Sequence, residues 1–134
     1  MRIVPELVFI NCCHVPVLAA DALLSSTRYD RAKFAANIAE GLTKAGVRCV
    51  IVAGWAIENV PAAEFATAFY ATLLRGERFI NAVTAARMAA YRSNPLGNTW
   101  AAYQCYGDPE WTWRRDALPL AAPGQVPTLP HPKP

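Results

Sequence analysis

With 134 residues, 54% of them hydrophobic and 17% charged, the chain is long enough to bury a core unaided and too short for two domains, since a globule of this size removes about two-thirds of its unfolded surface from water. Thirteen basic and ten acidic residues leave a formal charge of +3, but they are scattered, with Arg114-Arg115 the one adjacent basic pair; that excludes the basic face a nucleic-acid binder needs. Membrane spanning is excluded too, because the longest apolar run, Val50 to Ile57, falls far short of the roughly 18 residues a spanning helix requires.

The first element is a strand from Glu6 to Cys13, a short run of β-branched and aromatic residues suited to a sheet covered on both faces. Arg2 ahead of this run imitates a signal peptide, but Glu6, Asn11, His14 and Pro16 break the apolar centre such a leader needs. Residues His14 to Tyr29 show no period and read as a loop leaving the strand's carboxyl end. Asp30 is placed to cap a helix whose stripe is Phe34, Ile38, Leu42 and Ala45, ended by Gly46. Val47 to Ala53 is the most strand-like piece of the chain, and a strand, helix, strand order with short joints predicts two parallel neighbours.

Asn59 is placed to cap a second helix with the stripe Phe65, Phe69 and Leu73, closing at Gly76. A third is spaced by Ile80, Val83, Ala86 and Ala90 and stopped by Asn94-Pro95-Leu96-Gly97. Trp100 to Tyr106 alternates aromatic and small residues as a last strand would, before a turn at Gly107-Asp108-Pro109. Six of the last 21 residues are proline, so residues 114–134 form an extended or disordered tail. The fold predicted is therefore α/β, with three strands in the order β-α-β-α-α-β and the first two parallel.

Ligands of a parallel sheet bind outside the carboxyl ends of its strands. The first strand ends in Asn11-Cys12-Cys13-His14 and the second runs into Gly54-Trp55, so reactive groups converge there. A nucleophilic cysteine acts as its thiolate and needs a base to lower a pKa near 8.5. His14 adjoins Cys13 and points to the other face of an extended chain, while His131 lies in the tail. On composition alone, two small buried thiols are the simpler reading. Consecutive Cys12, Cys13 and His14 lack the spacing of a tetrahedral zinc site, so neither a metal nor a cofactor is expected. Four cysteines without a framework spacing suit a reducing cytoplasm.

Four segments nevertheless stand in a telling order: Leu-Val-Phe-Ile-Asn-Cys-Cys-His from Leu7, Ala-Gly-Val-Arg-Cys-Val-Ile-Val-Ala-Gly-Trp-Ala-Ile-Glu-Asn from Ala45, Ala-Glu-Phe-Ala-Thr-Ala-Phe-Tyr-Ala-Thr-Leu-Leu-Arg-Gly from Ala63, and Asn-Thr-Trp-Ala-Ala-Tyr-Gln-Cys-Tyr-Gly-Asp-Pro from Asn98. In that register the chain resembles the C-terminal half of the CHAT domain, a caspase-like and separase-like cysteine peptidase family, across about residues 4 to 112. The resemblance implies a three-layer α/β sandwich over residues 1–113 and assigns the nucleophile to Cys13, with Asn11 and Cys12 in the two places before it. It also implies a substrate pocket formed by Trp55, Glu58 and Asn59, in which Glu58 would face a basic side chain before the scissile bond.

The family's general base is a histidine on an earlier strand, several tens of residues upstream, whereas twelve residues precede Cys13. The resemblance therefore implies a catalytic histidine outside this chain and, for partners, a His-bearing N-terminal half, a protein or peptide substrate and regulatory helical repeats of the kind found fused to the family in bacterial signalling. The alternative is a non-catalytic remnant serving as an interaction or regulatory module through the open edge of its first strand.

Overall fold

The computed structural model describes residues 3–11 and 27–113. Within them the order is β1 (Leu7–Ile10), α1 (Thr27–Lys44), β2 (Cys49–Ala53), α2 (Asn59–Leu74), α3 (Phe79–Ser93), α4 (Thr99–Ala102) and β3 (Tyr103–Gly107). The three strands form one mixed sheet in the order β1-β2-β3. β1 runs parallel to β2 in the register Leu7↔Cys49 to Ile10↔Val52, as the crossover argument predicts, and β3 is antiparallel to β2, from Cys49↔Gly107 to Ala53↔Tyr103.

Side chains alternate across a strand with period two, so each strand feeds two cores. Cys49, Ile51 and Tyr103, with Leu7 and Phe9 beside them, pack against Phe65, Phe69 and Leu73 of α2 and Phe79, Ala82, Val83 and Ala86 of α3. On the opposite face Val50 and Val52, with Val8, Ile10 and Tyr106, pack against Ala35 and Ala39 of α1. Helices thus cover both faces, and the molecule is a mixed α/β sandwich of three layers.

Local chemistry accounts for the element ends. α1 stops in a Schellman motif: Gly46 takes φ 104°, its N–H donates to the Thr43 carbonyl at 3.0 Å, and the Val47 N–H donates to the Leu42 carbonyl at 3.0 Å. Gly76 ends α2 with φ 86°. The first N–H groups of α3 are satisfied by main chain rather than by a capping side chain, Phe79 donating to the Trp111 carbonyl at 2.7 Å and Ile80 to that of Pro109 at 3.1 Å. An Arg78↔Thr112 bridge and the exposed Arg78–Glu110 ion pair, 2.9 Å, hold the same corner.

Several sequence expectations need correction. α1 begins at Thr27, ahead of Asp30, and its buried stripe is Ala35 and Ala39; Phe34 is half exposed. Small residues face the sheet because they let the helix approach it closely, which a hydrophobicity pattern alone does not reveal. Asn59 is the first residue of α2 and not its cap: the cap position is Glu58, whose side chain makes no capping bond. Trp100 to Tyr106 is not one strand, since Thr99–Ala102 closes a helical turn before β3 starts at Tyr103, and this inserts a fourth helix into the predicted order. Strand β1 ends at Ile10 among the described residues, while Cys12, Cys13, His14 and the tail lie outside them. No helix among the described residues is long and apolar enough to cross a membrane.

Candidate active site

Because β1 and β2 are parallel and level, Ile10↔Val52, both deliver their carboxyl ends to one edge of the sheet. Antiparallel β3 begins at that same edge with Tyr103 opposite Ala53. Asn11, Gly54 and Tyr103 therefore meet there. The Tyr103 hydroxyl donates to Asn11 Oδ1 at 2.9 Å. Its ring is fully buried and stacks on Phe65 with centroids 4.1 Å apart, so the residue that follows β1 is tied to the rigid floor of the sandwich. Aromatic packing of this kind contributes about 0.5–1.5 kcal/mol beyond the area buried.

Gly54 is buried where β2 leaves the sheet. Its N–H donates to the Ala102 carbonyl at 2.8 Å, and a Cβ there would sit 2.7 Å from Gln104 Nε2 and 3.3 Å from the Ala102 oxygen. A side chain there would have to displace the Gln104 amide and crowd the Ala102 carbonyl of α4. Trp55 follows, half-buried. Its indole Nε1 is wholly removed from solvent and has no hydrogen-bond partner among the described residues, a state that costs about 1–3 kcal/mol unless something accepts from it.

Glu58 and Asn59 are exposed at the start of α2. The Glu58 N–H donates to Thr99 Oγ1 at 3.0 Å, and the Glu58 carboxylate accepts from Asn94 Nδ2 at 2.9 and 3.1 Å. Gly97 passes against this pair, where a Cβ would lie 2.5 Å from Glu58 Oε1. The loop after β2 is thus held by the α3–α4 connection, so that Trp55 and Glu58 belong to one braced segment. Asn59 makes no such link and serves as the first residue of its helix.

Of the residues singled out in the sequence, Trp55, Glu58 and Asn59 share the segment beyond β2, and Cys13 is outside the described residues. Tyr103, Asn94, Thr99 and Gly97 were legible as a strand residue, a helix stop and part of a motif, but not as members of the site, because Asn94 and Thr99 reach Glu58 across separations of 36 and 41 residues that no local pattern displays. Burial pushes the other two thiols, Cys49 and Cys105, up to about 11, so both stay protonated near neutral pH; Cys49 is buried and Cys105 partly so. No group of three or more His, Cys, Asp or Glu side chains able to hold a metal ion occurs among the described residues.

The fold is of the mixed α/β class, with two parallel strands opening onto one braced loop. The chain belongs to the CHAT domain family, whose model matches residues 5–108, nearly all of the described fold. No curated protein and no solved structure matches it.

Proposed function

We propose that this chain is the nucleophile-bearing part of a caspase-like cysteine peptidase, with Cys13 as nucleophile and the catalytic histidine outside these 134 residues. The observation that carries the reading is the level, parallel pairing of β1 with β2, which sends the segment leading to Cys13 and the loop bearing Trp55 out of the same sheet edge. Membership of a family associated with caspase-like peptidases supports it.

In this chemistry the imidazole takes the thiol proton and the thiolate attacks the scissile carbonyl carbon. The tetrahedral adduct then collapses to a thioester as the leaving amine takes that proton, and water hydrolyses the thioester. The Trp55 indole N–H, unpaired among the described residues, is suited to donate to a substrate carbonyl that reaches it. Glu58 offers a negative charge to a basic side chain before the scissile bond, although part of its acceptor capacity is spent on Asn94.

The test is labelling by a peptidyl chloromethyl ketone with arginine next to the ketone, followed by mass spectrometry. Co-expression with the His-bearing N-terminal half of a CHAT domain should raise labelling of Cys13 by about 10²–10⁴, the usual contribution of a positioned base. Cys13→Ala should abolish labelling, Cys12→Ala should not, and Glu58→Gln should lessen the preference for arginine over leucine. Equal labelling of both thiols, indifferent to the added half, would overturn the proposal in favour of the non-catalytic module that the open edge of β1 allows.

A further inference from the structure

The outer face of α3 carries an apolar groove that none of the chemistry above uses. It has a volume of about 470 Å³ and is lined by Ile80, Thr84, Arg87, Met88 and Tyr91 of α3 together with Trp100 of α4. The spacing of these helix residues follows one face, opposite the Phe79, Ala82, Ala86 and Ala90 stripe that enters the core. Ile80, Met88, Tyr91 and Trp100 are each about 39–47% exposed, an unusual concentration of large apolar side chains. Tyr91 and Trp100 stand edge to face with centroids 6.0 Å apart, so the groove ends in two aromatic walls. Its one charged member, Arg87, has its guanidinium bound to the Tyr103 carbonyl at 3.1 Å.

Grooves walled by tyrosine and tryptophan are the usual receptors for proline-rich segments, which lose little entropy on binding because their backbone is already restricted to a polyproline conformation. This chain supplies such a segment. Residues 114–134 contain six prolines, including the Pro-x-x-Pro sequence Pro127-Thr128-Leu129-Pro130. The Arg78↔Thr112 bridge fixes the point from which they leave, at the N-terminal end of α3. From there to Tyr91 is about 20 Å at 1.5 Å per helical residue. The 14 residues from Trp113 to Pro127 span up to about 43 Å in the extended polyproline regime. The tether is therefore long enough to bring Pro127 to Tyr91 within one chain, and intramolecular docking then runs at an effective concentration in the millimolar range.

We propose that Pro127 to Pro130 of the chain's own tail occupies the α3–α4 groove between Tyr91 and Trp100, a self-docking site at which proline-rich segments of other proteins compete. An effective concentration on the order of 1 mM set against an intrinsic Kd of about 0.1 mM leaves the groove open for about one-tenth of the time.

Met88 reports this directly in the full chain, because its thioether lines the groove. Hydrogen peroxide should oxidise Met88 about tenfold more slowly in the wild-type chain than in Pro127→Ala/Pro130→Ala, read by peptide mass spectrometry. Tyr91→Ala should release the protection to the same extent, with far-UV circular dichroism confirming that the fold persists. Protection should be independent of protein concentration. Equal oxidation rates in the wild type and the proline variant would overturn the proposal, and so would protection that grows with concentration, which would assign the groove to a second copy. Should Tyr91→Ala lose its fold, the tail variant, which leaves the described fold intact, decides alone.

Discussion

Cys49 and Cys105 share one role, that of thiols which burial keeps protonated. Burial raises Cys49 to about 11 against the opposing effect of its Sγ contact with the Asp108 carbonyl, and raises Cys105 to about 11 against the opposing effect of Arg87. At about pH 8 a thiol with such a pKa is thiolate about one part in a thousand, against about a quarter for an ordinary thiol. Iodoacetamide should therefore leave both unmodified in the folded chain and modify both in urea; rapid native-state modification of either would show that the sandwich opens. The same shift fixes a pH dependence. The folded pKa lies above the unfolded value, so the stability it contributes is complete below about pH 8.5 and is lost as pH rises through about 11. Urea midpoints should fall across that alkaline window and not below it. Tyr103 makes a separate test at the site: Tyr103→Phe keeps the ring on Phe65 and removes the hydrogen bond to Asn11. A loss of about 0.5–1.5 kcal/mol in denaturant titration is expected, together with a fall in Cys13 labelling larger than the unfolded fraction explains.

Among elements, those whose sequence signal is local were legible and those decided by distant partners were not. Phe65, Phe69 and Leu73 recur at helical spacing and all are fully buried, and Gly46 and Gly76 end their helices with positive φ. β2, buried along its length, announces itself as an unbroken apolar run. Phe34 and Ile80 fit the same spacing rule yet are half exposed, while the small Ala35 and Ala82 near them are fully buried, Ala35 against the sheet. The stretch after Asn98 is ambiguous at seven residues: alternation suits a strand, but the Ala101 N–H bonds the Asn98 carbonyl at 3.1 Å and starts a helical turn. At the site, the sheet-end position of Trp55 was readable from the order of elements. The Glu58–Asn94 link was not, since it depends on how α3 and α4 close back on the loop. Gly107 carries the sharpest test at this scale. It has φ 126°, and an added Cβ would press on the Arg48 carbonyl and lie 2.8 Å from Cys49 Cα. Gly107→Ala should cost about 2 kcal/mol or more, because neither backbone can yield without breaking the β2–β3 register. An unchanged urea midpoint would show that the turn relaxes freely.

At the scale of the molecule, the sheet has two edges: among the described residues β1 and β3 each pair with β2 alone, and β3 ends at Gly107. β1 is Leu-Val-Phe-Ile, half-buried throughout and without a charge, so it lacks the lysine, proline or bulge with which edge strands ordinarily discourage pairing. The same edge is where the His-bearing half proposed above would continue the sheet, and the two roles compete for one set of main-chain donors and acceptors. Sedimentation velocity should consequently show the chain self-associating reversibly as its concentration rises, and a stoichiometric amount of the His-bearing half should replace those species with a one-to-one heterodimer. Under the proposed function the heterodimer would be the form in which Cys13 gains its base, so labelling and dissociation of the self-associated species should follow the same titration curve. A chain that stays monomeric at high concentration and ignores the added half would mean that the edge of β1 is already covered, and both the peptidase assembly and the edge-mediated module would then lack their docking strand.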